Sequence, residues 1–207
     1  MVPAPSSLRN IFGNLDIYLF DQLLKGRIKE YTQLLDAGCG NGRNIQYLLQ
    51  AGLPVFGIDQ DAEAIRQVQE RAALLAPHLP PTNFIVADLN NMPFTDNQFG
   101  VVLCSAVLHF ARSEAHFRKM VQELWRVLQP GGMLFCRLST TIGLENKLPH
   151  LHDYFYQMSH GKNWFLADAS LLLNLEITLG AQRLEPLKTL LVEEQRAMTT
   201  WVLQKSA

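Results

Sequence analysis

Apolar residues change their period several times along the chain, and each change marks an element. Over residues 8–28, Leu8, Ile11, Phe12, Leu15, Leu19, Leu23 and Leu24 return at helical spacing with breaks near Gly13 and Gly26, which predicts one or two N-terminal helices. Short apolar runs near 33–37, 54–58, 83–87, 100–104 and 132–137 read as buried strands. Helical patterns near 42–51, 61–75 and 113–128 separate most of them. Such alternation is the pattern of a parallel sheet covered on both faces and joined by right-handed crossovers. After Leu138 the rhythm changes. A polar, aromatic-rich stretch runs to Ala167, a helix is expected over 168–179, and the β-rich runs 184–192 and 198–203 are placed to pair as a hairpin. No repeat or long linker divides the 207 residues, a length that suits one domain.

The first strand runs into an unusual loop. Residues 34–44 read Leu-Leu-Asp-Ala-Gly-Cys-Gly-Asn-Gly-Arg-Asn, with Asp36 inside the strand, Cys39 within the loop, and glycines alternating at Gly38, Gly40 and Gly42. A strand that ends in a glycine turn and opens a helix lets backbone approach a ligand closely. The next strand closes on Asp59, 23 positions after Asp36, with Gln60 beside it. An acidic residue roughly 20 residues on is placed to accept hydrogen bonds from both hydroxyls of a ribose. It would also repel a cofactor with a 2′-phosphate. The dinucleotide fingerprint G-x-G-x-x-G, which brings a helix N-terminus onto a pyrophosphate, is not the spacing found here.

The D-x-G-x-G-x-G spacing resembles the cofactor motif of the class I S-adenosylmethionine-dependent methyltransferases. The resemblance extends through Ala87-Asp88-Leu89 after the third strand, Phe99–Cys104 leading to Ser105 and Ala106, and the Leu124–Phe135 stretch with its Pro130-Gly131-Gly132 turn. It is strong over roughly residues 30–137 and topological elsewhere. It implies a doubly wound, Rossmann-like α/β fold with a seven-stranded, mostly parallel sheet, an antiparallel C-terminal hairpin strand, and helices on both faces. It also implies S-adenosylmethionine as cofactor. Asp36, Gly38, Cys39, Gly40 and Gly42 would then wrap its amino-acid moiety, Asp59 would take the ribose, and Gln60 beside it would also bind the cofactor. Asp88 would accept from the adenine amino group, and the backbone of Leu89 would meet the ring. Carbonyls around Ser105 and Ala106 would receive the cofactor's amino group. Family members often fold an N-terminal segment, here 8–30, over the cofactor, and Arg27 is the expected partner of its carboxylate. Gly100 stands where members usually carry Asp.

An acceptor site is harder to read. His109, at the edge of the fourth strand, is the candidate base, against the alternative of packing beside the cofactor or hydrogen-bonding the backbone. Residues 139–167 carry Tyr154, Phe155, Tyr156, Trp164 and Phe165 with His150, His152 and His160, and are expected to form a lid-like insertion over the active edge. These histidines match no strong zinc signature, and no metal is expected. With 18 basic and 19 acidic residues interspersed, the formal net charge is −1, so nucleic acid is not an expected partner. The three cysteines, an odd number, make no disulfide framework and suggest free thiols in a reducing cytoplasm. No apolar run is long enough to span a membrane, and residues 1–7 lack a signal-peptide core and are expected to be a short disordered lead-in. The expected activity is methyl transfer to a small molecule. A non-catalytic cofactor-binding subunit and, less well supported, a nicotinamide-dependent oxidoreductase are the competing functions.

Overall fold

The protein is described by a computed structural model covering residues 5–206. Of the expected lead-in, residues 1–4 lie outside the described residues, while Pro5, Ser6 and Ser7 begin α1 (Pro5–Phe12). The helical N-terminal pattern is broken at Gly13. It resumes as α2 (Ile17–Leu24), whose first turn is capped by the Asp16 carboxylate accepting from the N–H of Tyr18 at 2.9 Å.

The strands expected in the first two-thirds of the chain form as β1 (Leu34–Ala37), β2 (Val55–Asp59), β3 (Phe84–Val86), β4 (Phe99–Ser105) and β5 (Leu128–Ser139). Between them stand α3 (Gln46–Gln50), α4 (Ala62–Leu75) and α5 (Glu114–Val127). α3 is shorter than the periodicity over 42–51 suggests, because the glycine loop occupies the residues before Gln46. All neighbouring pairs among β1–β5 are parallel, in the order β3-β2-β1-β4-β5. The Pro-Gly-Gly turn is absorbed into β5 as an irregularity, where the register jumps between Phe99↔Leu128 and Val101↔Met133. A Cβ on Gly132 would lie 2.9 Å from the carbonyl oxygen of Gly100, so only glycine lets the two strands close there.

The aromatic-rich connection is ordered as a second, three-stranded antiparallel sheet that the sequence pattern did not reveal: β6 (His150–His152), β7 (Phe155–Gln157) and β8 (Asn163–Phe165). After α6 (Ala169–Leu179), the run expected at 184–192 forms a strand only over its second half, as β10 (Lys188–Val192), and a further short strand, β9 (Ala181–Arg183), precedes it. Pro186, which has no N–H to give a ladder, falls in the gap. Both pair with β11 (Arg196–Lys205), which lies antiparallel to β5, so the main sheet has eight strands rather than seven.

One face of the sheet packs on α5 and α6 through residues such as Phe99, Leu134, Phe117 and Leu172. The other packs on α2–α4 through Leu34, Phe135, Leu49 and Val68. Buried Glu176 anchors α6 by accepting from Trp201 Nε1 (2.6 Å) and from both Nε and Nη2 of Arg183 (2.9 and 2.8 Å). The N-terminal segment is held at the carboxyl end of β5 by Asp16, whose carboxylate pairs with Arg137 at 2.9 Å. The Arg137 guanidinium lies 4.4 Å from the centre of the Tyr18 ring. Among the described residues no helix is long and apolar enough to cross a membrane.

Candidate active site

At the carboxyl edge, β1 turns away from the sheet as soon as the N–H groups of Gly38 and Cys39 have both donated to the carbonyl of Ile58, at 2.8 and 2.9 Å. Gly38 has φ +81°, and a Cβ there would lie 2.3 Å from Cγ2 of Val107, so the loop passes closer to the end of β4 than any side chain permits. Asp59 then fastens the loop to β2. Its Oδ2 accepts from the N–H of Gly40 at 2.9 Å, and its Oδ1 accepts from the N–H of Asp61 at 3.0 Å, where α4 begins. Two carboxylate oxygens offer about four lone-pair positions, so roughly two remain for a ligand.

Beside this clasp lies a cavity of about 480 Å³, within the usual range for a small-molecule site. Gly38, Gly40, Asp59 and Gln60 form one wall, Asp88 and Leu89 a second, and Ser105 and Ala106 the floor at the end of β4. All eight were expected at a cofactor site. Ala106 holds φ +62°, a left-handed conformation uncommon outside glycine, and its N–H donates to the carbonyl of Arg137 at 2.7 Å.

Asp88 is organised locally. Its Oδ1 accepts from both the N–H and the Nδ2 of Asn90 at 2.8 Å, and these bonds, led by the backbone one, hold its carboxyl below the ordinary range. The Asn90 amide nitrogen lies 2.5 Å from Nε2 of His116, whose Nδ1 accepts from the N–H of Arg112 at 2.9 Å. Burial, then the charge of Arg112, lowers the pKa of His116. His116, Arg112, Phe110 and Met120 all line the cavity and were not singled out from sequence. The signal was present: His116 and Met120 are four apart on α5 and share a face, but Met120 reads equally well as core.

Behind the glycine loop, Asp36 is buried, and neither carboxylate oxygen has a hydrogen-bond partner; the same is true of the Ser105 hydroxyl. Burial, reinforced by the charge of Asp59 and opposed by that of Arg43, pushes the Asp36 carboxyl up to about 7. A carboxylate kept at such cost behind a ligand loop fits a cationic group, and the sulfonium and ammonium of S-adenosylmethionine meet that description. Because the folded-state pKa lies above the ordinary carboxylate value, Asp36 supports stability at low pH. That support is lost as pH rises from about 4 through about 7. Asp36→Asn is therefore expected to raise the melting temperature at pH 8 but not at pH 4.5, while reducing the stabilisation that S-adenosylhomocysteine provides. Thermal melts at the two pH values with and without that ligand check both parts.

Other expected residues stand apart from the cavity. Cys39 is buried, its thiol pushed up by burial and the charges of Asp36 and Asp59, so it remains protonated packing under the loop. Gly42, at the end of the loop, faces away from the cavity, and a Cβ there would sit 2.7 Å from Val68 Cγ2. Arg27 is a correction. α2 begins at the carboxyl edge but descends the sheet, so Arg27 reaches the opposite end. There it bonds Oε1 of Gln22 at 2.6 Å and the carbonyl of Leu184 at 3.3 Å, and it shares a depression with Thr32, Gly100 and Gln129. In the same depression, a Cβ on Gly100 would lie 2.6 Å from Thr32 Cγ2, so the departure from Asp goes with close packing.

His109 does not line the cavity either. It is buried in a single helical turn, residues 108–110, with its ring 4.4 Å from that of Trp164 on β8. Burial, with the charge of Arg196, pushes its pKa down to about 4, and its Nδ1 accepts from the N–H of Ser139 at 3.5 Å. This geometry favours the backbone-bonded alternative, with the ring packed beneath Trp164 rather than beside the cofactor site. Its neighbour Phe110 does face the cavity and meets Trp164 edge to face at 5.8 Å, so the small sheet supports the cavity wall.

Residues 35–136 match the methyltransferase domain family. Together with the strand order, the inserted antiparallel β11 and the glycine clasp, this match supports a class I S-adenosylmethionine-dependent methyltransferase, a family whose cofactor is S-adenosylmethionine. Among curated relatives, the chain is 36% identical over 115 residues to the methyltransferase YodH of Bacillus subtilis (strain 168), a match covering 56% of this chain and 43% of YodH. It is 38% identical over 120 residues to the thiol S-methyltransferase TMT1B of Rattus norvegicus, covering 56% and 47%. The matches thus span less than half the length of these relatives. Among solved structures, an S-adenosylmethionine-dependent methyltransferase from Methanosarcina mazei superposes with a TM-score of 0.70 over 89% of this chain and 97% of the other at 22% identity. A protein from Pyrococcus horikoshii OT3 gives 0.69 over 99% and 100% at 18% identity. Likeness at those identities concerns the fold alone.

Proposed function

We propose that the protein transfers the methyl group of S-adenosylmethionine to a small molecule, and that the acceptor is a soft nucleophile that ionises on its own, a thiolate first among them. The observation that carries the first part is Asp59, which grips the glycine loop while retaining free lone pairs at the mouth of a cavity of about 480 Å³. When bound, the cofactor supplies a methyl carbon already activated by its sulfonium. The protein's work is then to orient and to exclude water. Asp59 would fix the ribose, Asp88 and Leu89 the adenine, and the Asp36 carboxylate would favour the cationic end. Phe110, backed by Trp164, would close the cavity on the side of the small sheet, which we take as the lid and the wall of the acceptor site.

The thiolate reading rests on His109. With its pKa near 4 and Nδ1 already accepting from the backbone, it is a poor base near neutral pH. An acceptor that arrives as an anion needs none. The similarity to a thiol S-methyltransferase supports the same class without deciding it. Incubation with S-adenosylmethionine and separate panels of small alkyl thiols, phenols and amines, read by mass spectrometry, tests this. Expected are S-methyl products and S-adenosylhomocysteine from thiols, with a rate that His109→Ala leaves within about threefold provided the variant melts like the wild type. Turnover confined to phenols or amines would refute the thiolate reading. Cofactor binding without turnover on any panel would favour the non-catalytic alternative.

A further inference from the structure

A second cavity, of about 470 Å³, opens between α1, α3 and α4. Arg9 from α1, Arg43 from the glycine loop and Arg71 from α4 line it together with the carboxamides of Asn14, Asn41 and Gln46, and no Asp or Glu does. Among the described residues none of these three arginines forms an ion pair. The acidic residues of α4 are engaged elsewhere, since Glu63 and Glu70 both bind Arg66. The arrangement is tied together, because Gln46 and Gln50 each donate to the carbonyl of Asn10 at 3.2 Å, fastening α1 to α3.

Three guanidinium groups brought to one concavity from three separate elements repel one another, and a cleft lined by one sign of charge concentrates counter-ions. Arginine presents a planar fork of donors matched to phosphate oxygens, and carboxamides can supply further donors. The volume exceeds what one phosphate group fills, while the lining lacks the apolar surface that would hold a base or a lipid chain. We propose that this cavity is a binding site for a small polyphosphate-type anion, distinct from the cofactor cavity and on the outer side of the same glycine loop. Asn41 and Arg43 face it, while Gly38 and Gly40 face the cofactor side.

The test uses the full chain without cofactor, so that its outcome is independent of the methyltransferase reading. Inorganic pyrophosphate is titrated calorimetrically into the wild type and into the double variant Arg9→Gln, Arg71→Gln, with inorganic phosphate and a single-stranded oligonucleotide as comparisons. Circular dichroism and melting temperature verify that the variant folds. Expected is saturable one-to-one binding of pyrophosphate, tighter than phosphate, weakened at least roughly tenfold in the variant and weakened by added salt. No saturable binding, equal binding by a folded variant, or binding of the oligonucleotide alone would overturn the proposal. Should the double variant fail to fold, Arg43→Gln, an exposed loop substitution, serves as the comparison under the same criteria.

Discussion

Asp59→Ala is expected to weaken S-adenosylhomocysteine binding by about 100-fold, equivalent to about 2.7 kcal/mol. The carboxylate is asked to do two things at once. Toward the protein it accepts from the N–H groups of Gly40 and Asp61, so its removal frees the glycine loop from β2 and loosens the start of α4. Toward a ribose it would supply the remaining lone pairs, and hydrogen bonds to a charged group contribute roughly 1.5–3 kcal/mol each. Asp59→Asn keeps one acceptor oxygen and should fall between wild type and alanine. Calorimetric titration measures the affinities, with melting temperature to separate the effects: a drop in affinity far larger than the drop in stability is expected. An alanine variant that binds as tightly as wild type would remove Asp59 from the cofactor site.

Gly38→Ala should damage stability as well as binding. The position has φ +81°, where a side chain costs roughly 1–2 kcal/mol, and the new methyl would stand 2.3 Å from Val107 Cγ2. Overpacking of that kind typically costs a further 1–3 kcal/mol or so. The sum, roughly 2–5 kcal/mol, corresponds to a melting temperature lowered by about 5–15 °C for a domain near this size. Val107→Ala placed in the same chain should recover the steric part and leave the backbone part, giving a partial rescue. Because Val107 and Gly38 both border the cavity proposed for the cofactor, S-adenosylhomocysteine should also stabilise Gly38→Ala less than wild type. Full stability in the single variant would mean that the loop relaxes away from β4 without penalty.

Both predictions concern residues whose positions at the cavity are legible in the amino-acid sequence, and the reason is local. The loop glycines and Asp59 are demanded by backbone that must turn away from β1 and be fastened to β2 within a few residues, so their spacing records the geometry. The same holds for Asp88, which is organised by Asn90 two positions on. Arg27 shows the limit: it is near the first strand in sequence, but α2 runs down the sheet and delivers it to the far end, where it joins Gln22 and Leu184. His109 shows a second one. Its place at a strand edge is correct, but one turn of helix directs the neighbouring Phe110 into the cavity and leaves the histidine beneath Trp164.

What the amino-acid order determined by itself was the periodic part: buried parallel strands, the helices between them, the glycine loop and its acidic partner. These depend on contacts within a turn or a strand, where spacing and geometry are the same thing. Tertiary structure alone decided the small sheet β6–β8, the extra short strand β9 ahead of β10, the entry of His116 and Arg112 into the candidate cavity, and the meeting of Arg9, Arg43 and Arg71. Each of these joins residues from separate elements. Their proximity follows from how the helices pack across the sheet, which no single period along the chain encodes.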